Sequence, residues 1–355
     1  TKLYLFNMVV LIFCAPATLG FLNVLKKPRI TLTTGPLHLL FPSIFHLFQQ
    51  DNLDEHIAII GIGRRDYSNE EFRDQVKSSI QKHVKDTNRI DEFMNHVFYH
   101  KTDVSDERSY ESLLQFSNQL DKELGLQGNR LFYLAMAPQF FGVISDFLKS
   151  SGLTNTKGFK RLVIEKPFGS DLKSAESLNN QIRRSFKEEE IYRIDHYLGK
   201  DMVQNIEVLR FANAMFEPLW NNKYISNIQV TSSEVLGVED RGGYYESSGA
   251  LKDMVQNHML QMVALLAMEA PISLHSEDIR AEKVKALKSL RKLEPEEVRQ
   301  NLVRGQYDEG VIQGQKVPKY RDEDRVASDS NTPTFVSGRL TIDNFRWAGV
   351  PFYIR

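Results

Sequence analysis

Residues 56–84, "HIAIIGIGRRDYSNEEFRDQVKSSIQKHV", decide the fold. The first eight are a nearly continuous apolar run, the pattern of a short strand covered on both faces, as in a parallel sheet. Residues 69–84 then place apolar side chains at helical spacing among charged ones. The unit recurs downstream. "VFYH" (97–100), "RLFYLAMAP" (130–138) and "KRLVIEKP" (160–167) read as further buried strands, and "DERSYESLLQFSNQLDKEL" (106–124) and "QFFGVISDFLKS" (139–150) as the helices between them. Strand and helix in alternation predict a Rossmann-like, doubly wound α/β domain, assigned to residues 30–190.

From 191 to 355 the pattern changes. Helical stretches "GKDMVQNIEVLRFANAMFEPLW" and "ESSGALKDMVQNHMLQMVALLAME" accompany the alternating strands "SNIQVTSSEV" and "TFVSGRLTID", which predicts an α+β domain on a large, mainly antiparallel sheet. A length of 355 residues accommodates two such domains. With 41% hydrophobic and 26% charged residues, the composition is that of a globular protein. A net charge of -1 argues against nucleic-acid binding, so an anionic ligand must be met by local charge. The single cysteine, Cys14, excludes an internal disulfide and a Cys-rich zinc site, and it fits a reducing, cytoplasmic setting.

The chain opens differently. "LYLFNMVVLIFCAPATLGFLNVL" (3–25) is uncharged, long enough to cross a bilayer, and flanked by Lys2, Lys26 and Lys27, so its literal reading is a signal peptide or anchor. Yet no initiating Met precedes it, Pro16 and Gly20 interrupt it, and nothing downstream is secretory in character. Residues 1–29 are therefore expected to be an aberrant apolar leader outside the domain, and no membrane association is expected.

Two polar clusters carry chemistry. In "RIDHYLGKDMVQN" (193–205), read as a helix, His196 and Lys200 share a face while Asp195 points about 100° away. One face suits an anion and the carboxylate suits a second group to be oriented. In "GALKDMVQNHMLQ" (249–261), Asp253, Gln256 and Asn257 share a helical face with His258 about 100° around it. Polar groups able to read sugar hydroxyls thus sit beside an imidazole able to take a proton. Either cluster alone also reads as an ordinary polar helix face. Where a nucleotide-binding turn is expected, "ITLTTGPLHLLFPS" (30–43) offers only Gly35, followed by Pro36. Arg64 and Arg65 follow the strand at 56–63, where a guanidinium meets a 2′-phosphate and favours NADP over NAD.

Taken together, "RLVIEKPFGSDLKSAESLN", "YRIDHYLGKDMVQNIEVLRFAN", "SEVLGVEDRGGYYESSGALKDMVQNHMLQM" and "WAGVPFYIR" make the chain, from about Phe41 to Arg355, similar to the glucose-6-phosphate dehydrogenase family. The resemblance implies oxidation of D-glucose 6-phosphate to 6-phospho-D-glucono-1,5-lactone with hydride transfer to NADP, the first step of the oxidative pentose phosphate pathway, without a metal. By matching positions it implies that His258 is the general base and that Asp195 orients it. It assigns His196, Tyr197 and Lys200 to the sugar phosphate, and Glu234 and Asp253 to substrate hydroxyls. Lys166 is assigned to both substrate and coenzyme, Pro167 to a cis peptide, Arg64 to the coenzyme 2′-phosphate, and Asp103 and Val104 to the coenzyme. A homodimer or homotetramer is implied for the intact enzyme.

Two departures qualify it. The family's glycine turn has no counterpart in register at 30–35, and Leu39 stands where that turn carries a lysine, so residues 1–40 read as corrupted coding sequence. The chain also stops at "VPFYIR", where the family continues into a phosphate-binding lysine and the rest of its sheet. An incomplete sheet and impaired coenzyme binding are therefore expected. The alternatives are a catalytically impaired phosphosugar-binding remnant, or another sugar oxidoreductase with an "EKP" strand end, a group that would not supply "DHYLGK" and "QNH" together.

Overall fold

The structure, a computed structural model, describes residues 8–14, 36–53 and 56–355. It divides into two compact units, Thr1–Ile194 and Asp195–Arg355. The first runs β1 (Met8–Cys14), α1 (Pro36–Gln49), β2 (Ile57–Gly63), α2 (Asn69–His83), α3 (Ile90–Met94), β3 (Val97–Lys101), α4 (Ser109–Leu124), β4 (Arg130–Ala135), α5 (Phe141–Ser150), β5 (Lys160–Glu165), α6 (Leu172–Ile182) and β6 (Ile191–Ile194). All pairings are parallel, in the order β3-β2-β1-β4-β5-β6. This is the doubly wound order, with its switch point between β1 and β4.

The apolar run of β2 is explained by two cores. Ala58, Ile60 and Ile62 pack with Phe132, Leu134, Leu162 and Ile164 on one face, while Ile57 and Ile59 pack with Val97, Tyr99, Tyr133 and Val163 on the other. Each isoleucine so buried contributes about 1.5–3 kcal/mol, so a charge on either face of this strand would be strongly destabilising. Gly61 lets α2 come close, because a Cβ there would lie 2.2 Å from the Phe72 ring. That helix starts on a capping box, Ser68 Oγ accepting from the Glu71 N–H and Glu71 accepting from the Ser68 N–H.

Two expectations are corrected here. Met8–Cys14, assigned by sequence to a leader outside the domain, is the strand between β2 and β4, with Val10 in register with Ile59 and with Leu131. An uncharged apolar run meets the demands of a central parallel strand as well as those of a bilayer, because both surround it with apolar groups. The nucleotide-binding turn expected at 30–35 lies outside the described residues. No helix among the described residues is long and apolar enough to cross a membrane. At the other end, β6 pairs with β5, Glu165 opposite Ile194, so the sheet continues past the expected boundary at 190.

The second unit runs α7 (Asp201–Phe211), β7 (Ile228–Val230), α8 (Gly242–Ala250), a π-helix (Leu251–Met259), α9 (Leu260–Ala267), α10 (Ser276–Lys288), α11 (Pro295–Asn301), β8 (Leu302–Gly305), β9 (Gly310–Ile312), β10 (Gln315–Val317), β11 (Phe335–Thr341) and β12 (Pro351–Ile354). Its described four-stranded sheet has the order β7-β12-β11-β8. β11 is antiparallel to both neighbours and β7 is parallel to β12, so the sheet is mixed. Val255, Met259, Met262 and Val263 pack with Ile228, Val336, Phe352 and Ile354, and with Trp347, whose indole N–H donates to the Ala267 carbonyl at 2.8 Å. The long helix expected across this region is broken at Gly249, which has φ +60°, and the next N–H, that of Ala250, donates to Pro333 instead.

Candidate active site

The coenzyme candidates stand along one edge of the first unit. Arg64 directly follows β2, Asp103 and Val104 come just after β3, and Lys166 directly follows β5. All four lie beyond the carboxyl ends of parallel strands, where such sheets hold their ligands. Arg64 is exposed and makes no ion pair among the described residues, which suits a guanidinium meant for an anion. Asp103 holds its own loop, its carboxylate accepting from the Ser105 N–H at 3.0 Å and its carbonyl from Ser109. Val104 is buried, and its carbonyl accepts from the Tyr110 hydroxyl at 3.1 Å. Beside Lys166, whose bond to Pro167 is cis, Glu165 accepts a 2.5 Å hydrogen bond from the Tyr133 hydroxyl. Burial pushes the Glu165 carboxyl up to about 7 against the opposing pull of Tyr133 and Lys166.

The second unit assembles the other candidates by packing. Asp195 caps a short 3-10 helix, His196–Gly199, and accepts from the Tyr197 N–H at 3.0 Å. Its Oδ1 also lies 2.6 Å from His258 Nδ1. Burial pushes the Asp195 carboxyl up, but its hydrogen bond with His258, the charges of His258 and His196 and the Tyr197 N–H together outweigh it and hold the group below the usual range. An ionised Asp195 makes Nδ1 the donor and leaves Nε2 as the basic nitrogen.

The Tyr197 ring stacks on His258 with centroids 4.0 Å apart and planes at 13°. The other face of Tyr197 carries the Lys200 ammonium, 3.5 Å from the ring centroid. His196 meets His258 edge-on at 4.8 Å. The Tyr197 hydroxyl lies 3.4 Å from Ser232 Oγ and donates at 3.4 Å to Glu234. Burial pushes that phenol up, so it stays protonated. His258 itself is fully enclosed, at 0% exposure.

Neither cluster has the helical geometry the sequence predicts. The stretch around His196 and Lys200 is a 3-10 turn followed by α7, so the two are related through Tyr197, whose ring each of them approaches, rather than by a shared α-helical face. Asp253 and His258 sit in the π-helix. In an α-helix, residues five apart diverge by about 140°, whereas a π-helix closes its hydrogen bond at five, so the two stand about one turn apart on one side. Both are buried; Gln256 faces solvent, and the Asn257 amide donates to the Lys252 carbonyl. Asp253 accepts from the Tyr244 hydroxyl at 3.1 Å.

Sequence reasoning missed Ser232 and Tyr244. It also missed Lys283 on α10, whose ammonium is lowered by burial while the charges of Glu207 and Asp195 pull it back up. No local motif marks these residues, because distant elements bring them in. Arg64, Asp103, Val104 and Lys166 gather in the first unit, and Asp195, His196, Tyr197, Lys200, Glu234, Asp253 and His258 in the second.

Comparison with known proteins gives consistent matches. Residues 34–205 match a family described as glucose-6-phosphate dehydrogenase, NAD binding domain, and 207–355 one described as glucose-6-phosphate dehydrogenase, C-terminal domain. A glucose-6-phosphate 1-dehydrogenase of Bacillus subtilis is 61% identical over 316 residues, covering 89% of this chain and 64% of that protein. The Leuconostoc mesenteroides enzyme of the same name is 45% identical, with 89% and 65% covered. The chain thus spans slightly less than two thirds of these relatives. A solved structure of glucose-6-phosphate dehydrogenase in complex with its substrate glucose-6-phosphate matches with a TM-score of 0.84 at 34% identity, covering 99% of this chain and 69% of that one. A glucose-6-phosphate 1-dehydrogenase from Mycobacterium avium matches at 0.79 and 32%, with 98% and 68% covered.

Proposed function

Because the chain belongs to the glucose-6-phosphate dehydrogenase family, we propose that it binds D-glucose 6-phosphate and NADP and oxidises the sugar at C1 to 6-phospho-D-glucono-1,5-lactone. The observation that carries the reading is the 2.6 Å contact between His258 Nδ1 and Asp195. The ionised carboxylate fixes the tautomer, so His258 Nε2 takes the proton of the C1 hydroxyl, and the imidazolium formed is stabilised where it forms. The bound coenzyme supplies the hydride acceptor at its nicotinamide. Fixing the substrate at both ends by its phosphate and hydroxyls supplies the orientation that makes one proton transfer productive.

His196, Tyr197 and Lys200 hold the sugar phosphate in this reading. Lys200 is the fixed positive charge, and its seat over the Tyr197 ring, itself stacked on His258, ties the anion site to the base. Glu234 and Asp253 accept from sugar hydroxyls, each already steadied by a tyrosine. Arg64 takes the 2′-phosphate, Asp103 and Val104 the coenzyme, and Lys166 both substrate and coenzyme. The residues at the strand ends fit a phosphorylated dinucleotide: an exposed guanidinium stands after β2 and an ammonium after β5. A homodimer or homotetramer working in the cytoplasm completes the reading.

The test is NADPH formation with glucose 6-phosphate, compared with unphosphorylated glucose, in the chain and in its Lys200→Ala variant. The variant is expected to raise KM for glucose 6-phosphate by about 10–100-fold, the equivalent of one lost charge-assisted hydrogen bond, and to erode the preference over glucose. A change confined to the KM of the coenzyme would place Lys200 elsewhere.

A further inference from the structure

Asp195, His196 and His258 are arranged for more than proton transfer. Each offers one ligand atom, a carboxylate oxygen or a ring nitrogen, and the three atoms lie within 4.8 Å of one another. Asp195 Oδ1 accepts from the Tyr197 N–H and pairs with His258, whereas Oδ2 is buried and has no hydrogen-bond partner among the described residues. A buried carboxylate oxygen in that condition favours any cation that reaches it. Two imidazoles and a carboxylate form the borderline donor set that zinc and neighbouring first-row dications prefer, and three protein ligands leave further positions open.

The surroundings carry charge of both signs. The charges of Glu234 and Asp253 both act on Tyr197. Two ammonium groups oppose a cation: Lys200, separated from His258 by the thickness of the Tyr197 ring, and Lys283, whose charge and that of Asp195 act on each other. Tetrahedral zinc with bonds of about 2.0–2.2 Å sets its ligand atoms about 3.4 Å apart, so a separation at the 4.8 Å limit closes by little more than an ångström while the 2.6 Å Asp195–His258 contact opens by less than one.

We propose that a divalent transition-metal cation of the zinc class binds Asp195, His196 and His258, and that it inhibits the chain by engaging the His258–Asp195 pair on which proton abstraction depends. Its inhibitory meaning rests on the dehydrogenase reading; its occupancy rests on the geometry alone.

Calorimetric titration of the full chain with zinc chloride, in buffer free of phosphate and chelators, tests occupancy without any turnover. One zinc per chain at micromolar affinity is expected. His196→Ala and His258→Asn are each expected to weaken it by about tenfold or more, and His275→Ala, on the exposed end of another loop, to leave it unchanged. Cobalt(II) is the second probe: visible bands of nitrogen-ligated, low-coordinate cobalt in the unmodified chain support the site even if a variant fails to fold. Absent binding at about 100 μM, or equal binding by folded variants of either histidine, would overturn it. Zinc is then added to the NADPH assay, where inhibition reversed by EDTA is expected and full activity with zinc bound would remove the inhibitory role. A chain that binds zinc but turns over no substrate would count against the dehydrogenase reading while leaving the metal site standing.

Discussion

The strand edge of the first unit and the buried cluster of the second are built by opposite rules. At the edge, Arg64, Asp103, Val104 and Lys166 owe their places to topology, since each follows a parallel strand and the sheet aligns the strand ends. In the cluster, His258 owes its place to side chains: Asp195 at its Nδ1, Tyr197 on its face and His196 at its edge. An exposed residue of the first kind, such as Arg64, can be exchanged at the cost of its own contact. A residue of the second kind is coupled to every neighbour that holds it.

His258→Asn probes that contrast most severely. The amide fills similar space and still reaches Asp195, but it takes no proton at neutral pH, so kcat is expected to fall by about 10²–10⁴-fold. Calorimetry is expected to find glucose 6-phosphate binding largely intact. Near-normal turnover would mean that the buried cluster is structural and would dissolve the distinction between the two regions.

Arg64→Ala is the counterpart at the strand edge. KM for NADP is expected to rise by about 10–100-fold, one charge-assisted contact, with kcat and the KM for NAD little changed. Equal losses for the two coenzymes would remove Arg64 from the 2′-phosphate.

Glu165→Gln gives the smallest effect, and its sign follows from linkage. The folded-state carboxyl is raised above its ordinary 4.5 to about 7, so the native state binds this proton more tightly than the unfolded chain does. That contribution to stability is complete below about pH 4.5 and is lost as pH rises toward 7. The variant, which cannot ionise, is expected to match the parent near pH 4.5 and to exceed it at pH 8 by about 1–2 kcal/mol, allowing for partial exposure. Thermal unfolding across this range measures it, and a stabilisation confined to acid would reverse the assignment.

The same contrast explains what could be read from sequence. Strands β2 to β5 announce themselves because a parallel strand buried on both faces needs an apolar run, and the residues after them follow once the strands are known. Met8–Cys14 was legible as apolar but not as a strand, because bilayer and sheet interior make the same demand on composition. The clusters at 193–205 and 249–261 were legible as candidates for a site, from their residue types and from the family resemblance. Their geometry was not. Helical periodicity assumes 3.6 residues per turn, and these segments use a 3-10 turn, a glycine break at 249 and a π-helix. Tyr244 and Ser232 reach the cluster from other segments, which no local pattern encodes.

The π-helix bears on which changes of chain length this region can survive. A π-turn is an α-helix that carries one residue too many, so deleting a single residue between Leu251 and Met259 would restore ordinary α-helix without any change of amino-acid type. His258 would then turn by about 100° relative to everything before the deletion and slip by about 1.5 Å along the axis. Insertions and deletions are usually absorbed in loops. Here the length of one helical segment is itself the setting that brings Asp253 and His258 to one side, so loss of a residue would strike the site while leaving a longer-lived regular helix behind.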